Sequence, residues 1–236
     1  MDRKEKIAFT FGLMIAVCIQ MFGHVSGGHM NPAVSIAMAV AMEITPSRAL
    51  LYTIAQCAGG ILGSLLLKGV TPPRLHGNLG LTSLNNEISE GQGLVCEIVF
   101  TFILVMSIFG TNDPNRALFG SPALGIGFTV GVVHLAAIPF TGAGINPARS
   151  LASSAISTAD NSFNNHWVYW VGPILGGVVA AIGTSTVLVH TGGKLTINEA
   201  TNKMMESSDM VVIPRTYFKG YLNLENGEKI YQSYHF

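Results

Sequence analysis

"SGGHMNPAVS" at residues 26–35 and "TGAGINPARS" at residues 141–150 decide how this chain folds. Each holds the triplet Asn-Pro-Ala. Asn is a favoured N-cap, because its side-chain oxygen accepts a backbone N–H from the first helical turn. Pro is favoured at the first helical position, where its missing N–H costs nothing. One such triplet signals only a helix start. The second copy, Asn146-Pro147-Ala148, lies 115 residues after Asn31-Pro32-Ala33, with Gly142 matching Gly27 and Gly127 matching Gly12. Further on, "GGILG" at 59–63 resembles "GPILG" at 172–176. A period this long is a duplication of a whole structural unit, not a solenoid repeat.

The residues around the triplets are those of a membrane. Hydrophobic residues make up 49% of the 236, and charged residues only 11%, less than half the share usual in soluble domains. Five stretches, Ile7–Val25, Ala49–Gly69, Leu94–Gly110, Ala123–Phe140 and Trp167–Val189, have roughly the 20 apolar residues that a spanning helix needs. The pieces that follow the triplets, Pro32–Met42 and Pro147–Ile156, are half that length. The loops Thr71–Gly93 and Thr111–Ser121 are polar. Past His190 the chain turns mixed and polar, and residues 191–236 read as a loosely ordered cytoplasmic tail beyond a membrane channel domain at 1–190. Ser207 and Ser208 in it read as plain solvated residues. The formal net charge is zero, with no basic run to meet nucleic acid. The three cysteines, Cys18, Cys57 and Cys96, all sit in apolar stretches and read as buried thiols, not metal ligands. No nucleophile–base pair, phosphate loop or metal spacing points to an enzyme or a cofactor.

Three predicted spans separate the two triplets. An odd number of crossings makes the two half-helices enter from opposite faces, which is the plan of an inverted repeat. A half-helix that ends inside a membrane is tolerated only against protein or a water-filled cavity. Its N-terminus carries about half a positive charge. Two such ends meeting at mid-membrane form an electropositive centre. With each Asn oxygen held by its capping bond, the amide hydrogens of Asn31 and Asn146 are free to face a lumen. A water molecule there accepts from both and turns its own hydrogens outward, which breaks a proton wire and repels cations.

The paired boxes, "SGGHMNPAVS" and "TGAGINPARS", resemble those of the aquaporin, or major intrinsic protein, family, over about residues 7–190. The resemblance implies an all-α membrane protein: an inverted-repeat, right-handed helical bundle with two re-entrant half-helices. It also implies a filter beside the triplets, made by Phe11, His134, Ala143 and Arg149. Each of these has a plainer reading: core packing for Phe11, a satisfied buried imidazole for His134, an ion-pair partner for Arg149. An arginine within a membrane is costly enough to be functional by default. Phe and His narrow a lumen to about one water, and Tyr169-Trp170 resembles the aromatic pair of the water-selective animal branch. Ala143 stands where some members carry a mercury-reactive cysteine, so mercurials are expected to miss this filter. "LASSA" after Ser150 departs from the family's usual "FGPA". The resemblance gives Glu97 the role of bonding the backbone amides of the second loop; a Glu97–Arg149 pair is the competing account.

The resemblance also exposes a difference. The family has six full spans and this chain carries five; the counterpart of Leu94–Gly110 is not found before Ile7. The family orientation would leave Arg3, Lys4 and Lys6 outside the cell, against the positive-inside tendency. The implied function is passive, single-file conduction of water that excludes protons and ions. The alternatives are a glycerol-type facilitator of small neutral solutes and a non-conducting truncated subunit. The implied partners are water and membrane lipid. The implied assembly is a homotetramer in the plasma membrane, with the tail cytoplasmic. The small-residue faces Gly59-Gly60-Gly63 and Gly172-Gly176-Gly177 are expected to serve close packing within one subunit.

Overall fold

A computed structural model describes residues 2–113 and 120–190, together with three residue pairs in the tail. Five long helices are present: α1 (Arg3–Ser26), α3 (Pro46–Val70), α4 (Glu90–Thr111), α5 (Pro122–Thr141) and α7 (Val168–His190). They hold 20 to 25 residues each, enough to cross about 30 Å of hydrocarbon at 1.5 Å per residue. The short helices α2 (Pro32–Val40) and α6 (Pro147–Ile156) hold 9 and 10 residues. The five spans and two half-helices read from hydropathy are therefore present, with long-helix ends moved by one to four residues. The ends move to where caps lie. Asp2 and Glu5 close a capping box at the start of α1, and Ser89 and Gln92 close one at the start of α4.

Of the tail, the described residues are three pairs in an antiparallel arrangement, β1 (Val211–Val212), β2 (Tyr221–Leu222) and β3 (Lys229–Ile230), with Val211 opposite Leu222 and Tyr221 opposite Ile230. Strands of two residues carry no readable alternation. Ser207 and Ser208, and most of the loop after Thr111, lie outside the described residues.

The two units interlock. The half-helix α2 packs on α3 of its own unit and on α7 of the other, and α6 packs on α3. Between the units α1 crosses α5 at matched glycines. A Cβ on Gly12 would lie 2.6 Å from the Gly127 carbonyl oxygen, and one on Gly127 would lie 2.6 Å from that of Gly12. Residues equivalent in the repeat thus touch each other, so the pseudo-twofold axis runs through this crossing. The core is built from Val34, Met38, Leu104, Val105, Val130 and Val133. Outer faces carry Leu13, Leu62, Leu66 and Phe128, each more than half exposed, which suits lipid.

The glycine faces divide. Gly172, Gly176 and Gly177 pack against neighbouring helices, and Gly60 lies against Ala148 and Ala152 of α6. Gly59 and Gly63 do not fit the expected internal packing: no heavy atom lies within 4 Å of where their Cβ would stand.

Candidate pore

Both triplets act as helix caps. Asn31 Oδ1 accepts from the Ala33 N–H at 2.9 Å; Asn146 Oδ1 accepts from Ala148 at 3.0 Å and Arg149 at 3.2 Å. Pro32 and Pro147 open the half-helices, and Ala33 and Ala148 are buried behind them. The loops before them have matching backbones. Gly27, Gly28 and Met30 have φ of 80°, 61° and 48°; Gly142, Ala143 and Ile145 have 74°, 59° and 43°. Left-handed φ at the β-branched Ile145 is strained and needs outside support.

The two helix tips are tied to each other. Asn31 Nδ2 donates to the Ile145 carbonyl at 2.8 Å, and Asn146 Nδ2 donates to the Met30 carbonyl at 2.9 Å. This corrects the expectation that both hydrogens of each amide face the lumen. One is spent on the opposite loop, because the residue before each Asn presents its carbonyl there. Each amide nitrogen has one further hydrogen beyond this pair. The reciprocal pair fixes the two Asn side chains at one depth.

Glu97 is fully buried on α4. Its carboxylate accepts from Thr141 Oγ1 at 2.6 Å, from the Gly144 N–H at 3.0 Å and from the Ile145 N–H at 2.6 Å. It thereby holds the strained turn that precedes Asn146. Gly144 permits the approach: a Cβ there would stand 2.9 Å from Glu97 Oε2 and run into the Tyr169 ring. Tyr169 in turn donates its hydroxyl to the Thr141 carbonyl at 2.8 Å.

Phe11 of α1 stacks on His134 of α5, ring centroids 4.5 Å apart, and the Arg149 guanidinium lies 5.2 Å from the Phe11 centroid. The structure thus brings Phe11, His134 and Arg149 into one cluster. Ala143 is buried in the loop, where its N–H donates to Thr141 Oγ1 at 3.2 Å. His134 Nδ1 lies 2.9 Å from the Val130 carbonyl. A carbonyl only accepts, so Nδ1 carries the proton and the neutral ring's Nε2 is an acceptor. Among the described residues, His134 Nε2 and Arg149 Nε are buried and have no protein partner. Orphan polar atoms of this kind mark where water or a polar solute bonds. Arg149 is aimed by the Gly80 carbonyl, which accepts from it at 2.6 Å, and by Ser153 Oγ at 3.4 Å. Gly80 belongs to the polar loop between α3 and α4, and sequence reasoning gave it no role; no local signal in that loop identifies it.

Outside the spans, His166 is held by Ser154 Oγ at 3.4 Å and accepts from Trp170 Nε1 at 3.3 Å. Burial pushes its pKa below the ordinary imidazole value.

The family model "Major intrinsic protein" matches residues 2–183. The chain belongs to the major intrinsic protein, or aquaporin, family. Membership places it among membrane channels, apart from enzymes, and with its apolar helices makes it an integral membrane protein. Among aquaporin relatives, it is 47% identical over 175 residues to aquaporin-4 of Mus musculus, covering 74% of this chain and 53% of that protein. Identity to aquaporin-4 of Notomys alexis is 40% over 227 residues, covering 88% and 69%. Identity to human aquaporin-1 is 40% over 208 residues, covering 87% and 76%. The chain therefore spans about half the length of the mouse relative it matches. Among solved structures it is similar to the aquaglyceroporin from Plasmodium falciparum, with a TM-score of 0.68 and 25% identity over 80% of this chain and 84% of that one.

Proposed function

We propose that residues 1–190 form a channel that conducts water in single file and excludes protons and cations, and that residues 191–236 are its cytoplasmic tail. The observation that carries this reading is the reciprocal tie between Asn31 and Ile145 and between Asn146 and Met30. It brings two helix N-termini, each worth about half a positive charge, to one point. A water passing there accepts one hydrogen bond from each amide and cannot also accept a proton along the file. Phe11, His134 and Arg149 form the filter, with Ala143 as the small fourth position. A cation about 5 Å from a full positive charge, at an effective dielectric near 20, is disfavoured by about 3 kcal/mol. Glu97 positions the second loop. The relatives named aquaporin-4 and aquaporin-1 support water as permeant; assembly is a homotetramer in the plasma membrane.

A second reading, a facilitator for glycerol-type solutes, draws on the likeness to an aquaglyceroporin structure. The bulk of Phe11 and His134 favours water. Reconstituted vesicles separate the two. Water channels speed osmotic shrinkage severalfold over empty vesicles without admitting glycerol. Rapid glycerol entry establishes the second reading, and shrinkage no faster than in empty vesicles refutes both.

A further inference from the structure

Arg149 is aimed by a loop that does not hold its own shape. Gly80 offers its carbonyl to the guanidinium at 2.6 Å. Among the described residues, every other hydrogen bond of residues 76–81 stays inside the loop. His76 donates to the carbonyls of Thr71 and Pro73, Leu79 to that of His76 and Leu81 to that of Asn78, while the Gly80 N–H reaches Asn78 Oδ1. Gly77, Leu79 and Gly80 hold left-handed φ of 52°, 50° and 75°. At a leucine that conformation persists only under restraint from the surroundings. The restraint comes from the residues that follow.

Thr82, Leu84 and Asn85 fasten the loop to the rest of the protein. Thr82 is buried, its Cα 3.3 Å from where a Cβ on Gly142 would stand. Leu84 fills the notch at Gly93, where a Cβ would run into it. Asn85 closes the end of α5. Its Nδ2 donates to the Pro139 carbonyl at 3.0 Å, and its backbone N–H donates to the Phe140 carbonyl at 2.8 Å. A helix leaves its last four carbonyls without a partner of its own. In α5 these run from Ile138 to Thr141; the Gly142 N–H takes the first and the Tyr169 hydroxyl the last. Asn85 takes the two between. Its Oδ1 accepts from the Glu87 N–H at 3.0 Å, which turns the amide so that Nδ2 faces α5.

The first unit supplies a comparison. There Val34 holds the place of Arg149. The carbonyls of His24 and Val25, which match Pro139 and Phe140, have no such donor among the described residues. The clasp and the arginine occur together, in one half of the protein. We infer that Asn85 is a positioning residue of the filter: by clasping the loop to the end of α5 it sets the depth of the Gly80 carbonyl, and through that carbonyl the aim of Arg149. Exclusion of cations then depends on a side chain that acts on the guanidinium only through the loop. Without Nδ2 the Pro139 carbonyl loses its partner and the loop is tied to α5 by one backbone bond. Gly80 then gives way, and the guanidinium is no longer fixed over Phe11. The inference rests on the channel reading, with Arg149 as the barrier to cations, and adds the residue that aims it.

Asn85→Leu keeps the size of the side chain and removes its donor without adding charge. The full chain in vesicles is read for proton leak with a pH-sensitive dye and for water permeability by osmotic shrinkage. The ratio of leak to water permeability is expected to rise by about twofold to tenfold, the factor that one neutral hydrogen bond is worth. A plain loss of folded channel lowers both readings and leaves their ratio where it was. On top of Arg149→Val, Asn85→Leu is expected to add nothing to the leak, because the group it aims is gone. Asn85→His keeps a donor, Nδ1–H, the same number of bonds from the backbone, and is expected to keep the unmodified ratio. An unchanged ratio in Asn85→Leu, a further multiplied leak on top of Arg149→Val, or a histidine variant as leaky as the leucine variant would each overturn the inference. The same vesicles judge the channel reading separately. Fast shrinkage by the unmodified chain and leak through Arg149→Val, without leak through Asn85→Leu, keep the pore and discard the clasp; an unmodified chain that shrinks no faster than empty vesicles discards both.

Discussion

Glu97→Gln tests the structural logic of the pore most directly. The carboxylate takes three donors, at 2.6 Å, 3.0 Å and 2.6 Å, in a site shut off from solvent. A glutamine keeps one oxygen, which can serve Thr141 and Gly144. Its NH₂ group then faces the Ile145 N–H across about a hydrogen-bond length, donor against donor. A bond to a charged acceptor is worth about 1.5–3 kcal/mol, and a buried donor left unsatisfied costs about 1–3 kcal/mol more. The change therefore costs about 3–5 kcal/mol. That removes the bond holding Ile145 at φ 43°, a conformation that itself stores about 1–3 kcal/mol of strain. The ordered loop loses about a hundredfold to several thousandfold of its advantage over a relaxed one. Ile145 is also the acceptor for Asn31 Nδ2, so the disturbance reaches the centre of the pore. The expected outcome is a lower unfolding temperature in detergent and a severalfold fall in water permeability per protein in stopped-flow light scattering. A variant with wild-type unfolding and wild-type permeability would refute the reasoning.

Four further outcomes follow from the same geometry. Arg149→Val removes the positive charge over Phe11 and the bond to the Gly80 carbonyl; proton or cation leak is expected to rise by about a hundredfold, the factor that corresponds to about 3 kcal/mol, as read by a pH-sensitive dye in vesicles. His134→Gly deletes one partner of the 4.5 Å stack and is expected to admit glycerol in light-scattering uptake; unchanged exclusion would put the constriction elsewhere. Gly12→Ala sets a methyl 2.6 Å from the Gly127 carbonyl and is expected to destabilise the α1–α5 crossing by about 1–3 kcal/mol, as overpacking does, seen as a lower unfolding temperature. His166 has a folded-state pKa below its ordinary value of 6.5, so the unfolded chain takes up its proton first as pH falls. Its contribution to stability is full above about 6.5 and is lost as pH drops from there toward the folded value; His166→Gln is expected to flatten that part of a melting-temperature profile.

Membership of the family and the sidedness of the two halves were legible in residues alone, because the signals are local or countable. An Asn cap followed by Pro acts within one helical turn, so Asn31-Pro32 and Asn146-Pro147 announce the half-helices wherever they lie. Hydropathy finds the spans, since each must match the membrane's thickness by itself, and parity then orients the halves. Glu97 entered through resemblance, not through spacing. A glutamate on an apolar helix says that it needs partners without saying which amides they are.

Tertiary structure decided what joins residues far apart in the chain. The bond from Asn31 to the Ile145 carbonyl spans 114 residues, and the one from Arg149 to Gly80 spans 69. Neither leaves a trace in local pattern, because a backbone carbonyl accepts alike whatever side chain it carries. The same holds for glycine: "GGILG" and "GPILG" read as equivalent, yet Gly63 looks onto open space while Gly176 carries a helix. Sequence fixes what a residue is able to touch, through its size and its donors. Only the arrangement of helices settles what stands there to be touched.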